Sequence, residues 1–342
     1  MRIAIVGGGI AGALLALRLT RAPRPAEVDL FLGEATSSRD ASRASGGMVR
    51  GFEPDPAAAR EAAESLAEIR GSATLREWSG YRETGSVYVP ARGAGTADSL
   101  KIVDHLLPGS ATLVDRAVLA REHRLRNLPD RAIGVVERHA GHISPHRLRT
   151  AVLAELARTN AVFHLTKVRQ VTDDPAVRTA GGATLRYDAV VVAAGAWTPR
   201  LLADSGLPGE SLRSKQVQYS VCQAGLDDLR PFVEENSGLY GRWMRPGAFL
   251  LGLPSDRWDV DPDEISRDRA LTEKVVTHAE RLFGVPVRAV RTVASFDCYR
   301  DPPGLALRPL GTAGRLYTFT GGSGGAAKTA VAASRTAADA LL

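Results

Sequence analysis

Within thirty-four residues the chain writes an apolar strand, a glycine turn, a helix and a second strand, and few folds accept that order. Arg2-Ile3-Ala4-Ile5-Val6 is a short apolar run of the kind buried in a parallel sheet. Gly7-Gly8-Gly9-Ile10-Ala11-Gly12 follows at once, so Gly7, Gly9 and Gly12 take the glycine places of G-x-G-x-x-G. Ala13 to Arg21, rich in alanine and leucine, predicts a helix. Val28 to Leu32 predicts the next strand, and Glu34 closes it. Each piece has a physical task. Gly7 permits the tight turn, Gly9 lets the backbone approach a pyrophosphate, and Gly12 lets helix and sheet pack closely; the helix N-terminus faces the negative charge. Glu34, twenty-two residues past Gly12, is placed to accept hydrogen bonds from a ribose. The combination predicts a dinucleotide site, with Ile10 and Ala11 in contact with it. It does not by itself separate FAD from NAD.

A chain of 342 residues buries a sizeable core and has room for two linked domains. The net charge of +6 rests on arginine, with five lysines, and the arginines are scattered. We read them as solvated surface and ion pairs, not as a nucleic-acid face, although the excess modestly favours an anionic substrate. Cys222 and Cys298 are the two cysteines. They offer neither metal-site spacing nor a disulfide framework, and they suit a reducing compartment, hence the cytoplasm. The apolar N-terminus is broken by glycines and lacks a cleavage region, so it is read as strand and helix and not as a signal peptide. No segment is long and apolar enough to span a membrane.

Further along, small residues from Ala35 to Gly51 allow close backbone approach to a flat ligand. Helices are expected over Ala57–Arg70, Arg147–Arg158, Asp261–Phe283 and Ala326–Leu342. Strands are expected at Ser86–Val89, Val162–Leu165, Val168–Val171, Lys215–Val221, Phe249–Leu253 and Arg315–Thr320. The run from Tyr187 to Trp197 reads as a second buried strand ending in a small-residue turn. Gly321-Gly322-Ser323-Gly324-Gly325, between a strand and the last helix, repeats the strand–glycine turn–helix theme. The dinucleotide signals thus lie at the start, middle and end of the chain, and one compact domain must gather them. Elements between residue 90 and Val136 are not legible.

The N-terminal glycines, Gly141-His142-Ile143-Ser144-Pro145 before a helix, Val190 to Trp197, and Gly321 to Lys328 together resemble the FAD-dependent amine and amino-acid oxidoreductases of the D-amino-acid oxidase superfamily. The monomeric sarcosine oxidase and glycine oxidase branch is the nearest in pattern, and the resemblance runs over nearly the whole chain. It implies an α/β fold: a discontinuous Rossmann-like FAD domain (1–80, 141–210, 296–342) and a substrate domain of mainly antiparallel sheet and helices (81–140, 211–295). It also implies FAD as cofactor, contacted further by Ser42, Ser45, Gly46, Gly47, Met48, Val168, Ala194, Gly195, Trp197, Gly322, Ser323, Gly324, Gly325, Ala326 and Lys328.

For substrate, the resemblance implies that Arg50 and Lys328 hold a carboxylate and that Tyr240 lines the pocket. The family's dioxygen-activating lysine falls on Leu250, a departure; Lys215 is the other lysine to consider. Some members tether FAD through a cysteine just before a tyrosine, and Cys298 sits one residue away from that spacing. The expected activity is oxidation of the C–N bond of an amino acid or N-alkylated amino acid to an imine, with dioxygen as acceptor and hydrogen peroxide as product. The arginine-rich, lysine-poor composition suggests a GC-rich genome, and tailoring of a specialised metabolite is a role to be expected there. Alternatives are an amine dehydrogenase using another acceptor and a non-catalytic flavin-binding subunit of a complex. A flavin monooxygenase lacks support, because no downstream Gly-Asp cofactor motif is found.

Overall fold

The computed structural model describes residues 1–33, 40–91, 95–209, 211–226, 229–312 and 314–342. Arg2–Val6 is the inner strand of a six-stranded sheet, flanked by Glu27–Phe31 and Ala189–Val192, both parallel to it. Val162–His164 and Leu316–Thr320 extend the parallel set on either side, and Ala306–Leu310 adds an antiparallel edge. Ile3, Ala4, Ile5 and Val190 to Val192 are wholly buried, as strands covered on both faces must be. The helix after the glycine turn spans Ile10–Thr20 and packs against Ala326–Leu341 and Pro145–Leu156. It begins three residues before the expected Ala13, because Ile10, Ala11 and Gly12 already form its first turn.

The second large sheet has eight strands and draws on residues 86–137 and 212–300. Its longest members, Leu212–Ala224 and Val287–Arg300, pair antiparallel along their length. Ala248–Gly252, Leu239–Arg245 and Phe232–Glu234 follow, then Ser86–Val89, Ile133–Glu137 and Ala111–Asp115. Only the contact between Phe232–Glu234 and Ser86–Val89 is parallel. The stretch from residue 90 to Val136 holds helices Ala97–Leu106 and Arg116–His123, the edge strand Ala111–Asp115 and most of its neighbour Ile133–Glu137.

The expected helix over Asp261–Phe283 is corrected to Arg269–Phe283. Asp268 caps it, its carboxylate accepting the Leu271 N–H, while the Asp268 N–H donates to the side chain of Gln218. Residues 261–268 form an irregular strap. The Gln216 and Gln218 side chains hold the carbonyls of Ser266 and Asp268, and Arg200 pairs with Asp261 and Asp263. These tertiary partners satisfy backbone groups that a helix would otherwise have taken.

Candidate functional site

A groove of about 660 Å³ runs over the carboxyl ends of the parallel strands. Gly7, Gly9, Ile10 and Ala11 line it from the first turn, Ala194, Gly195 and Trp197 from the turn after Ala189–Val192, and Gly322 and Ala326 from the last turn. Ser42 and Val168 complete the set expected there. Ser42 also fixes one wall, its Oγ accepting the Ile10 N–H at 2.9 Å. Arg149, Lys167, Arg169 and Arg200 also line it, with Asp40, Asp204 and Asp263 among them; Arg149 pairs with Asp40, and Arg200 with Asp261 and Asp263.

The three motif glycines differ in what requires them. Gly7 has φ +118°, and a Cβ there would lie 2.3 Å from the Ala193 carbonyl oxygen. A Cβ on Gly12 would lie 2.0 Å from the Gly7 oxygen. Gly12 therefore lines no cavity; it serves the close packing of turn on helix. Gly9 has extended backbone (φ −68°, ψ −179°), and its Cβ would meet nothing nearer than Ser42 Oγ at 3.6 Å. The chain itself does not need glycine at position 9, so the bare backbone there leaves room for a ligand.

A second cavity of about 510 Å³ opens beside the groove, under the long strands of the eight-stranded sheet. It gathers Ser45, Gly46, Gly47, Met48 and Arg50 from one segment, Ser323, Gly324, Gly325 and Lys328 from another, and Tyr240 from the sheet. Ile10, Ser42 and Ala326 border both spaces. Gly47, at φ +65°, brings its backbone against the Ile143 carbonyl, where a Cβ would stand 2.1 Å away. Tyr240 is seated over Gly252, where a Cβ would reach to 2.4 Å from the phenol oxygen, and its hydroxyl donates to the Gln218 carbonyl at 3.3 Å. Burial pushes the Tyr240 phenol up to about 12.

Arg50 and Lys328 come together on a residue the sequence reading passed over. Glu53 Oε1 lies 2.8 Å from Arg50 Nη2 and also pairs with the Lys328 ammonium. Burial pushes the Glu53 carboxyl up, but Arg50 and Lys328 outweigh it and hold it below the usual carboxylate range. Burial, with Arg50 beside it, lowers Lys328 despite the pull of Glu53. Arg50 Nε donates to the Phe52 carbonyl, and its guanidinium lies 4.8 Å from the centre of the Tyr88 ring. Glu137, fully buried on the far strand, accepts the N–H groups of Gly51 and Phe52 at 2.9 and 3.0 Å and so holds the turn that presents Arg50. Burial raises the Glu137 carboxyl.

Leu250 lines neither space. It is 1% exposed and packs behind Gly46, whose Cβ would lie 3.3 Å from Leu250 Cδ1. Lys215 is in neither lining, its ammonium 4.2 Å from the centre of the Trp258 ring and 5.0 Å from that of Tyr299, which borders the cavity. Cys298 is wholly buried in the core on the face of its strand opposite Asp297. Glu34 lies outside the described residues. No cluster of metal-ligating side chains occurs among the described residues.

The model of the FAD dependent oxidoreductase family matches residues 2–340. The chain belongs to this family. A monomeric sarcosine oxidase from Streptomyces avermitilis is 27% identical over 229 residues, covering 63% of this chain and 57% of that relative's length. Two solved structures share the fold. The L-proline dehydrogenase from P. horikoshii has TM-score 0.82 at 17% identity, covering 99% of this chain and 92% of its own. The glycine oxidase from Geobacillus kaustophilus has TM-score 0.77 at 22% identity, covering 99% and 94%. The family's cofactor is FAD. This FAD dependent oxidoreductase has a cradle that fits it: a helix N-terminus, and a glycine without an internal need for its bareness, at the groove over the parallel strands.

Proposed function

We propose that this chain oxidises the C–N bond of an amino acid or N-alkylated amino acid to an imine, which water then hydrolyses. The observation that carries the reading is the pair of cations, Arg50 and Lys328, in one wall of a cavity adjoining the glycine groove. A guanidinium offers a fork of donors to a carboxylate, and the ammonium adds a point charge beside it. The substrate carboxylate competes with Glu53 for these two groups, so Glu53 is the internal anion that it must displace. FAD, when bound, takes a hydride from the carbon next to the amine nitrogen. The chain contributes orientation. Tyr219, Tyr240 and Tyr299 line the cavity, and burial raises all three phenols, so they stay protonated and none of them takes the amine proton.

Dioxygen is the electron acceptor in this reading, with hydrogen peroxide as product. A second reading is a dehydrogenase: the position the resemblance gives to a dioxygen-activating lysine holds Leu250, which lines neither space and offers no charge to developing superoxide. The two unpaired cysteines support a reducing compartment, and we place the protein in the cytoplasm. No helix among the described residues is long and apolar enough to cross a membrane.

The test is anaerobic mixing of the purified yellow protein with glycine, sarcosine and L-proline, the amino acids named in its relatives, each beside its decarboxylated analogue. Bleaching of the flavin by a carboxylate-bearing amine and not by its analogue is expected. Equal bleaching by both removes the carboxylate assignment, and no bleaching by a broad amine panel leaves a flavin-binding subunit. Mixing the reduced protein with dioxygen then separates the acceptors: fast return of colour marks an oxidase, slow return a dehydrogenase.

A further inference from the structure

Five residues border both the glycine groove and the Arg50 cavity: Ile10, Ala41, Ser42, Ala326 and Asp297. Asp297 alone among them carries an ionisable group. A cofactor that runs from the groove into the cavity must pass it. The carboxylate is fixed in place, Oδ1 accepting the Cys298 N–H and Oδ2 the Gly324 N–H, each at 2.8 Å. Strand alternation sends Cys298 into the core and leaves Asp297 on the cavity side. Neither the amine chemistry above nor the glycine pattern gives this residue a task.

We propose that Asp297 is a cofactor-contacting carboxyl that is protonated when FAD is bound, so that FAD binding takes up a proton. The surroundings favour the neutral acid. No arginine or lysine pairs with Asp297 among the described residues. Lys215 stands directly across the strand pair, yet its ammonium lies over the Trp258 and Tyr299 rings, 4.2 and 5.0 Å from their centres. The Tyr299 phenol is raised by burial and by Asp297 itself, and burial pushes the Cys298 thiol up to about 11, so both stay protonated near neutrality. The loop Gly321–Gly325 brings a backbone N–H and no titratable side chain, and Ile10, Ala41, Ser42 and Ala326 bring none. Lys328, two positions beyond Ala326, is engaged by Glu53.

Burial already raises the Asp297 carboxyl to about 6, against the pull of its two backbone donors. A bound cofactor reaching from groove to cavity would strip away the remaining water there, and its diphosphate would add negative charge; both would disfavour the ionised form further. The sign follows by linkage. The loaded protein holds the proton more tightly than the free protein, so FAD affinity is level below about pH 6 and falls as pH rises, approaching about tenfold per unit until the loaded carboxyl ionises. His142 does not interfere in this range, because burial, Arg242 and Arg82 push it down to about 4.

The experiment is FAD release from the full-length holoprotein on dilution, followed by flavin fluorescence from pH 5.5 to 8.5, for the wild type and Asp297→Asn. The expected result is a dissociation constant that climbs with pH in the wild type and stays level in the variant. Should the variant bind no FAD, calorimetry of the wild type at pH 7 in buffers of different ionisation enthalpy decides, with uptake approaching one proton expected. A level wild-type profile, one that falls with pH, superimposable profiles, or no proton uptake would overturn the proposal. The readout is cofactor binding alone, so its failure is distinct from failure of the amine reading.

Discussion

The glycine groove is shaped by backbone, and the Arg50 cavity beside it is shaped by side chains. In the groove, glycines at 7 and 12 bring the turn and the helix to within a Cβ of each other, and small residues line the space that a cofactor would take. In the cavity, cations from two distant segments share a buried carboxylate, and a second carboxylate, Glu137, holds the turn between Arg50 and Glu53. The first arrangement leaves one geometry available. The second holds its charges in a pairing that, in the proposed reading, a substrate carboxylate exchanges with Glu53. Binding of a cofactor that stays suits the former, and turnover of a substrate that must leave suits the latter.

Breaking the backbone side should have the largest effect. Gly12→Ala puts a methyl group 2.0 Å from a backbone oxygen that cannot move aside, and should cost on the order of 3 kcal/mol or more of stability. Gly9→Ala meets no such clash, so the apoprotein should melt as the wild type does while its FAD content collapses. Melting curves and flavin content of the two purified variants check this. Full flavin loading of Gly9→Ala would dissolve the distinction between glycines that serve the chain and a glycine that serves the ligand.

On the side-chain side the expected losses are smaller and fall on the substrate. Arg50→Met should weaken a carboxylate inhibitor by roughly 2–4 kcal/mol, since a desolvated bidentate partner is lost. Lys328→Met should cost less, with FAD still bound in both. Spectral titration of the bound flavin with the inhibitor measures it, and wild-type affinity in both variants would move the anion site elsewhere.

The smallest effect sharpens the exchange itself. Glu53→Gln removes the internal competitor, and inhibitor affinity should rise by about 1 kcal/mol while the melting temperature falls, because two buried cations lose their carboxylate. The pH dependence has a definite sign. A carboxyl held below its ordinary range stabilises the fold at neutral pH, and that contribution is lost as pH falls through the depressed value. Wild type should therefore shed stability toward acid that Glu53→Gln never had. Melting curves from pH 7 down to acid compare them; a variant that is less stable and binds the inhibitor no better would make Glu53 a purely structural partner.

Much of the groove was legible in advance because its determinants are local. A β-branched apolar run, a glycine where φ is positive, and an alanine-rich helix each act on neighbours within a few residues, so Arg2–Val6, Ile10–Thr20 and Ala326–Leu341 stand close to where the pattern puts them. The helix from Asp261 was misjudged for the complementary reason. Its acidic residues suit a helix start as well as a strap; Asp268 is the one local cap, and a pair of glutamine side chains some fifty positions away engages the backbone of Ser266 and Asp268 ahead of it.

The sequence by itself determined the strand–turn–helix frame, the two segments that carry Arg50 and Lys328, and membership of a fold whose cofactor lies over parallel strands, since each follows from short-range stereochemistry or from motif resemblance. Only the tertiary structure decided that Glu53 sits on both cations, that Glu137, 86 positions from Gly51, ties down the turn between Arg50 and Glu53, that Leu250 packs behind Gly46 away from either space, and that Asp297 stands where groove and cavity meet. Charged side chains find partners through space, and the energy of a buried charge depends on every group around it. Residue type and spacing along the chain carry no record of that environment.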